Sequence, residues 1–390
     1  MKKLRVGIIG VGNMGSGHLR SVVNGECPSV EVTAVADINP ERLDYAKKIL
    51  PSIAVYTDAE DMLDCGMIDA VLIAVPHYDH PKYAIECFDR GIHVMTEKPA
   101  GVYARQVREM NEAADKAGVR FAIMFNQRTN PIYAKAREIV QSGALGQPKR
   151  LVWIVTNWYR TQAYYNSGSW RATWNGEGGG VLLNQAPHNL DLWQWIFGMP
   201  KKIRAFCSVG KYHNIDVEDD VTIYGEYDNG ATAVFISTTG EAPGTNRLEI
   251  SGDKGKLVLE DGKLKWWKLS VPEREFCFTS KEGFCTPDTT YEEFTAEEPD
   301  GHPILLENFA KAIIDGEELI ADGREGLNSL SISNAAYIST WTDNWAQIPT
   351  DEELFEKFLQ ELCDKEKTAK NVSQSADTPE TLSERWKVRW

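Results

Sequence analysis

At 390 residues the chain is too long for one small core, and ordinary domain sizes make two domains the first expectation. Hydrophobic residues at 42% and charged residues at 25% are those of a soluble globular protein, and a net charge of −15 with no basic stripe excludes a phosphate backbone as the main partner, so no nucleic acid is expected. The opening MKKLRVGIIGVG has an apolar run only about a strand long that passes straight into glycines, which reads as a buried first strand rather than a signal peptide. No other segment is long and apolar enough to span a bilayer, so no membrane association is expected. Seven cysteines, at 27, 65, 87, 207, 277, 285 and 363, are an odd number without CxxC spacing. They read as reduced thiols of a cytoplasmic protein, with neither a disulfide framework nor a metal site.

In chain order, short apolar runs alternate with helical patterns through the first 126 residues. Strands are expected at Arg5–Ile9, Val32–Ala36, Ala54–Tyr56, Asp69–Val75, His93–Met95 and Arg120–Phe125, and helices at Ala59–Leu63, Pro81–Arg90 and Tyr103–Ala117. This is the grammar of a doubly wound α/β domain. A helix at Pro131–Gln141 follows, then longer alternating runs at Lys149–Trp158, Lys202–Lys211, Val221–Glu226, Ala231–Ser237, Arg247–Ser251 and Lys263–Leu269, with turns such as Asp228-Asn229-Gly230 and Asp261-Gly262 between them. Such a series forms a large, mostly antiparallel sheet. Helices return at His302–Ile314, Arg324–Trp341 and Glu352–Asp364. The expected division is 1–126 for a Rossmann domain, 127–364 for an α+β substrate and oligomerisation domain, and 365–390 for a polar tail closing on Trp386 and Trp390.

Gly10-Val11-Gly12-Asn13-Met14-Gly15 fits G-x-G-x-x-G between a strand and a helix, the context that makes the pattern informative. Gly10 serves the tight turn, Gly12 the close approach of a pyrophosphate, and Gly15 the packing of helix on strand, while the helix N-terminus offers N–H groups to the anion. Asp37 follows the second strand, where a carboxylate accepts hydrogen bonds from an adenosine ribose and repels a 2′-phosphate, so NAD is expected over NADP. The plainer reading of Asp37 is that it starts the turn Asp-Ile-Asn-Pro.

A cofactor loop does not name a reaction. Two further features bear on chemistry: Thr96-Glu97-Lys98-Pro99 at the end of the fifth strand, and the run from Gly178 to Asp191, GGGVLLNQAPHNLD. Ligands of open α/β sheets bind outside the carboxyl ends of the strands, which puts Lys98 on the right edge, and Pro99 holds it extended. With the glycine loop, Phe125-Asn126-Gln127-Arg128 before Pro131, and the Gly143 to Gly146 turn, these motifs run in order over about two-thirds of the chain, and the chain resembles the Gfo/Idh/MocA oxidoreductase family.

That resemblance implies roles residue by residue. Lys98 would contact the nicotinamide region and the reacting hydroxyl, with Glu97 beside it, and His188 would be the general base. The Pro76-His77-Tyr78-Asp79-His80 segment lies where the family contacts the nicotinamide half, with Pro76, His77 and His80 as the candidates, although His80-Pro81 also reads as helix punctuation. Many relatives carry an aspartate four residues before the histidine. Here Asn184 stands in that place, and an amide binds a hydroxyl but takes no proton, so His188 needs another orienting partner, for which Asp191 is the candidate. The chemistry agrees: a neutral imidazole removes the hydroxyl proton and an ammonium stabilises the alkoxide. The plain readings are a surface lysine and a core or capping histidine.

From Trp158 to Trp174 the chain is dense in aromatic residues with two arginines, and such rings pack on the CH faces of sugars or else simply build a loop. Trp158, Arg160, Tyr165, Trp170 and Arg171 are the substrate candidates there, with Asn126, Arg128, Asn184 and Asp191, and the arginines leave room for a carboxylate or phosphate. The family handles sugars and cyclitols, and the branch resembled by the glycine run oxidises glycosides, so a secondary hydroxyl, at C3 of a glucoside, is the expected target. A redox-neutral NAD-using glycosidase and a non-catalytic NAD-binding sensor are the alternatives. In the family the open face of the large sheet commonly packs against a second subunit, so the resemblance implies a homo-oligomer, dimer or tetramer, and the run Ala231 to Ile236, apolar on both faces, is consistent with burial there.

Overall fold

The apolar runs of the first third are parallel strands because each is followed by a helix that carries the chain back across the sheet. In a computed structural model, which describes residues 3–366, they are β1 (Leu4–Ile9), β2 (Val30–Ala36), β3 (Ala54–Tyr56), β4 (Ala70–Ile73), β5 (His93–Thr96) and β6 (Phe121–Ile123). The helices between them are α1 (Asn13–Val23), α2 (Pro40–Ile49), α3 (Ala59–Leu63), α4 (Asp79–Asp89) and α5 (Ala104–Ala117). The order β3-β2-β1-β4-β5-β6 reverses between β1 and β4, so the loops after these strands flank the crevice where doubly wound sheets hold ligands. Each β4 residue is buried, as in a sheet covered on both faces. Asn39 starts α2 by accepting from the Glu41 N–H, and Pro40 supplies the first helical φ.

The second half contains α6 (Pro131–Gln141), β7 (Pro148–Val155), α7 (Gln162–Tyr165), α8 (Pro187–Phe197), β8 (Lys202–Val209), β9 (Glu218–Glu226) and β10 (Thr232–Thr238). It continues with β11 (Asn246–Gly252), β12 (Gly255–Glu260), β13 (Lys263–Leu269), α9 (Glu273–Thr279), β14 (Thr289–Thr295), α10 (Gly301–Ile314), α11 (Gly326–Thr342), β15 (Ala346–Gln347) and α12 (Glu352–Lys365). Nine strands form one sheet in the order β14-β13-β12-β11-β7-β10-β9-β8-β15, antiparallel except for the parallel pair β7 and β10. Trp193 of α8 stacks on Phe235 of β10 at 5.9 Å, and Tyr133 of α6 packs on Trp153 of β7, so these helices cover one face of the sheet. The fold is thus the expected Rossmann domain with a large, mostly antiparallel sheet after it.

Some elements differ from the sequence expectation. β12 and β14 were not anticipated: β12 is a short run between two turn signals, and β14, TTYEEFT, has no apolar face and pairs only through its neighbour β13. The strand expected to run to Lys211 ends at Val209, before Gly210 at φ +54. The helix expected over 324–341 begins as a separate 3-10 turn, Gly323–Glu325. C-terminal segments return to the first sheet. Ser29 donates to Glu307 of α10 at 2.6 Å, Asn334 of α11 bonds the main chain of both Ala104 and Val102, and Ala122 bridges to Asp322. Trp386 and Trp390 lie outside the described residues.

Candidate active site

Local geometry explains the cofactor loop. Gly10 has φ +90, and a Cβ there would lie 2.5 Å from the Ala74 carbonyl oxygen, while a Cβ on Gly15 would collide with the Gly10 carbonyl. At Gly12 an added Cβ would meet only open space, the room that a close-approaching pyrophosphate needs. No side chain caps α1, so its first turn, Asn13, Met14 and Gly15, keeps outward N–H groups. Asp37 accepts from Val11 N–H at 2.7 Å and from Asn39 N–H at 2.8 Å, so its carboxylate sits against the glycine loop at the end of β2. The donors, the open Gly12 face and the carboxylate together fit a dinucleotide.

Across the crevice, β5 runs into Glu97-Lys98-Pro99. Glu97 is buried with its carboxylate 2.7 Å from His18 Nε2 of α1. Burial opposes its ionisation, but the His18 hydrogen bond and the charges of His18, His302 and Lys98 outweigh it and hold its pKa down to about 2. Lys98 is partly buried, and Nζ donates to the Asn184 carbonyl at 2.9 Å. Burial lowers its pKa, with Glu97 and Glu177 pulling the other way. His188 occupies the first turn of α8, packed edge-on against Phe125. Its pKa lies well below the ordinary imidazole value, first through burial and then through the Lys98 and His302 charges. Lys98 and His188 therefore share one electrostatic neighbourhood, and the imidazole there is neutral at pH 7.

Several sequence candidates come together here. His77 donates through Nδ1 to the Glu177 carbonyl, 2.9 Å away, and its ring meets that of Trp170 at 6.0 Å. Pro76 is exposed beside it. Arg160 and Arg171 flank the Tyr164 ring at 5.2 and 4.6 Å, and Arg171 donates to the Tyr164 hydroxyl at 2.8 Å. Asn126 is buried, its amide nitrogen 3.4 Å from His302 Nδ1, and its side-chain oxygen has no hydrogen-bond partner among the described residues.

Other candidates are engaged elsewhere. Asp191 does not orient His188: it accepts two bonds from Arg128, at 2.9 and 2.7 Å, and Arg128 also donates to Glu325 at 2.8 Å. Both side chains of the Arg128–Asp191 pair are 1% exposed, so the pair is a buried tie rather than a substrate contact. Tyr165 is buried with its hydroxyl on Thr239, and Trp158 is buried with its indole N–H on Asn189. The His80 ring spans the Pro99 and Val75 carbonyls at 2.7 and 2.8 Å, clamping the Lys98 loop instead of reaching a ligand.

Tyr164, Glu177 and His302 were missed. The Tyr164 hydroxyl donates to the Asn184 side-chain oxygen at 3.3 Å, so Tyr164, rather than its neighbour Tyr165, faces the site. The buried Glu177 carboxylate accepts from the Asn184 amide and lies 4.0 Å from Arg171. Glu177 immediately precedes the glycine run, which was the available signal.

Residues 4–125 match the oxidoreductase family model with an NAD-binding Rossmann fold, and residues 133–258 match the GFO/IDH/MocA C-terminal domain model. The trans-1,2-dihydrobenzene-1,2-diol dehydrogenase of Bos taurus is 30% identical over 72% of this chain and 84% of its own. The chain belongs to the Gfo/Idh/MocA oxidoreductase family. This NAD-binding oxidoreductase is also 26% identical to the myo-inositol 2-dehydrogenase of Thermotoga maritima, over 85% of this chain and 95% of that one. Among solved structures, the WlbA dehydrogenase of Bordetella pertussis, in complex with NADH and UDP-GlcNAcA, is 27% identical with a TM-score of 0.76, covering 90% of this chain and all of that one. No helix among the described residues is long and apolar enough to cross a membrane, and no cluster of His, Cys, Asp or Glu there could hold a metal ion.

Proposed function

We propose that this oxidoreductase is an NAD-dependent dehydrogenase of a secondary hydroxyl on a sugar, glycoside or cyclitol, with C3 of a glucoside as the position. The observation that carries the reading is the convergence of the Lys98 ammonium and the neutral His188 imidazole on the Asn184 segment, at the carboxyl edge that also bears the cofactor loop. His188 takes the hydroxyl proton, and Lys98 stabilises the alkoxide oxygen. Gly10, Gly12, Asn13, Met14, Gly15 and Asp37 hold the dinucleotide, with Pro76, His77 and the Glu97–Lys98 turn toward the nicotinamide end. Bound NAD supplies the hydride acceptor. Trp170, Tyr164, Arg160 and Arg171 form a shelf of rings and cations for the sugar, and Asn126 offers its buried oxygen as an acceptor. The cations favour a sugar bearing an anionic group, in keeping with the UDP-GlcNAcA named with the Bordetella relative, and the Thermotoga relative's name supports a cyclitol.

The reading includes a cytoplasmic homo-oligomer, dimer or tetramer, divided at residues 126 and 364. Its support is the outer face of the large sheet, where Val152, Ile154, Val234 and Ile236 are half-buried and Phe206 is exposed. The deciding experiment incubates the purified protein and NAD with a panel of sugars, glycosides, uronic acids and cyclitols. NADH accumulation with one class is the expected result. Aglycone release without net NADH would instead make the protein a redox-neutral glycosidase, and neither signal with any class would overturn the dehydrogenase.

A further inference from the structure

The Lys98 ammonium has a neutral first partner. Its hydrogen bond runs to the main-chain oxygen of Asn184, while Glu97 places one carboxylate oxygen on His18 and the other on the Lys98 N–H, and its charge is the larger of the two that oppose the effect of burial on Lys98. A partly buried cation against a carbonyl needs an anion close by. Asn184 leads to one. While its main-chain oxygen receives Lys98, its side-chain amide donates to Glu177. The Glu177 carboxylate is fixed from the other side by the Ala172 N–H at 2.6 Å, and its own N–H donates to the Thr173 carbonyl. The Glu177 carbonyl meets His77 of the loop after β4, so the residue is pinned between both halves of the molecule. The charged or titratable groups facing it are Arg171 at 4.0 Å, Lys98, and His77 on its main chain, and burial raises its pKa against the pull of Arg171 and Lys98; Lys98 in turn faces Glu97, Arg171, Arg160, His188, His77 and His80.

We propose that Glu177 is a positioning residue for Lys98: from the far side of Asn184 its buried carboxylate adds a second negative charge to that of Glu97 and fixes the Asn184 side chain, and with it the main-chain oxygen that receives the ammonium. The chain thus keeps its anion seven residues before Asn184 in sequence and one hydrogen bond away in space. The Asn184 side-chain amide holds that carboxylate by its N–H and does not compete for the hydroxyl proton. This leaves proton removal to His188. The inference rests on the assignment of Lys98 to the reaction, but its test needs neither substrate nor cofactor, so the two can fail separately.

The experiment is pH-dependent labelling of the full-length protein with acetic anhydride, with acetylation at Lys98 read by peptide mass spectrometry. An opposite charge at close range shifts a titration by about 1–3 units. Glu177→Gln should therefore move the Lys98 labelling midpoint down by at least about one unit, so labelling on the rising limb becomes about tenfold faster. The double variant Glu177→Gln/Asn184→Asp, which exchanges amide and carboxylate, should return the midpoint to that of the natural sequence. A well-folded Glu177→Gln protein with an unmoved midpoint overturns the proposal, as does a double variant that fails to restore it. Should the single Gln variant not fold, Lys98→Met/Glu177→Gln removes both charges together and should fold. A double variant as unfolded as the single one would show that Glu177 serves only the 172–177 turn.

Discussion

The two sheets of this molecule use opposite solutions to the same problem of burial. The parallel sheet is wrapped by helices, so a ligand meets it outside the carboxyl ends of the strands, and there Gly10, Asp37, His77 and Lys98 lie. The nine-stranded sheet buries one face under α6 and α8 and leaves the other uncovered in the single chain, with Phe206 59% and Tyr224 37% exposed. It contributes no strand residue to the site. Its contribution is the connection between β7 and β8, which brings Tyr164, Arg171, Glu177, Asn184 and His188 against the parallel sheet's edge. One sheet thus offers an edge, and the other a platform from which loops reach that edge.

The sharpest way to break this comparison is to separate the two contributions. Lys98→Ala or His188→Ala should reduce turnover by roughly 10²–10⁴-fold, a loss typical of removing a positioned acid–base or electrostatic group. NADH binding, followed by fluorescence titration, should persist, because the glycine loop is untouched. Lost binding in His188→Ala would show that the two halves do not divide the work as described. The next effect concerns the buried ion pair behind the site. Arg128→Ala leaves the fully buried Asp191 without its cation and should destabilise the fold by about 3–5 kcal/mol in urea unfolding. Unchanged stability with a raised KM would return Arg128 to the substrate.

A third, similar effect depends on pH. Glu218 of β9 accepts from Gly180 N–H, Leu182 N–H and Tyr337 hydroxyl, and so fastens the glycine run to the large sheet. Burial pushes its pKa from 4.5 up to about 7 against those hydrogen bonds. Between these values the folded protein keeps a proton that the unfolded chain releases, so stability is highest below 4.5, declines as pH rises to about 7, and is level above. The decline from this group is roughly 3 kcal/mol, and Glu218→Gln should flatten it in unfolding curves recorded across that window. A slope unchanged by the substitution would place the proton elsewhere. The smallest energetic effect belongs to the open face: Phe206→Ser/Tyr224→Ser should change stability within about 0.5 kcal/mol yet reduce the assembly measured by light scattering. Unaltered mass would remove this face from the interface.

Legibility in the sequence followed the range of the interactions involved. The strand–glycine loop–helix unit, the alternation of the parallel half and the turn-punctuated strands of the second half were readable, because each depends on backbone sterics and side-chain periodicity within a few residues. The Lys98 and His188 motifs were readable as motifs, with roles implied by resemblance. Beyond that range the reading failed in identifiable ways. Tyr164 and Tyr165 are adjacent in a four-residue helix, and only packing against Thr239 and His213 decided which ring turned inward. Arg128 and Asp191, 63 positions apart, neutralise each other in the core, so two apparent substrate groups became a structural pair.

The sequence by itself therefore determined the NAD loop, the fold class and the edge on which Lys98 stands, since these follow from local conformational preference. Tertiary structure alone decided which polar groups face the crevice. Charges choose partners through space, and a chain that brings Lys98 to Asn184 across 86 positions also brings it the charge of Glu177, held by the Asn184 side-chain amide.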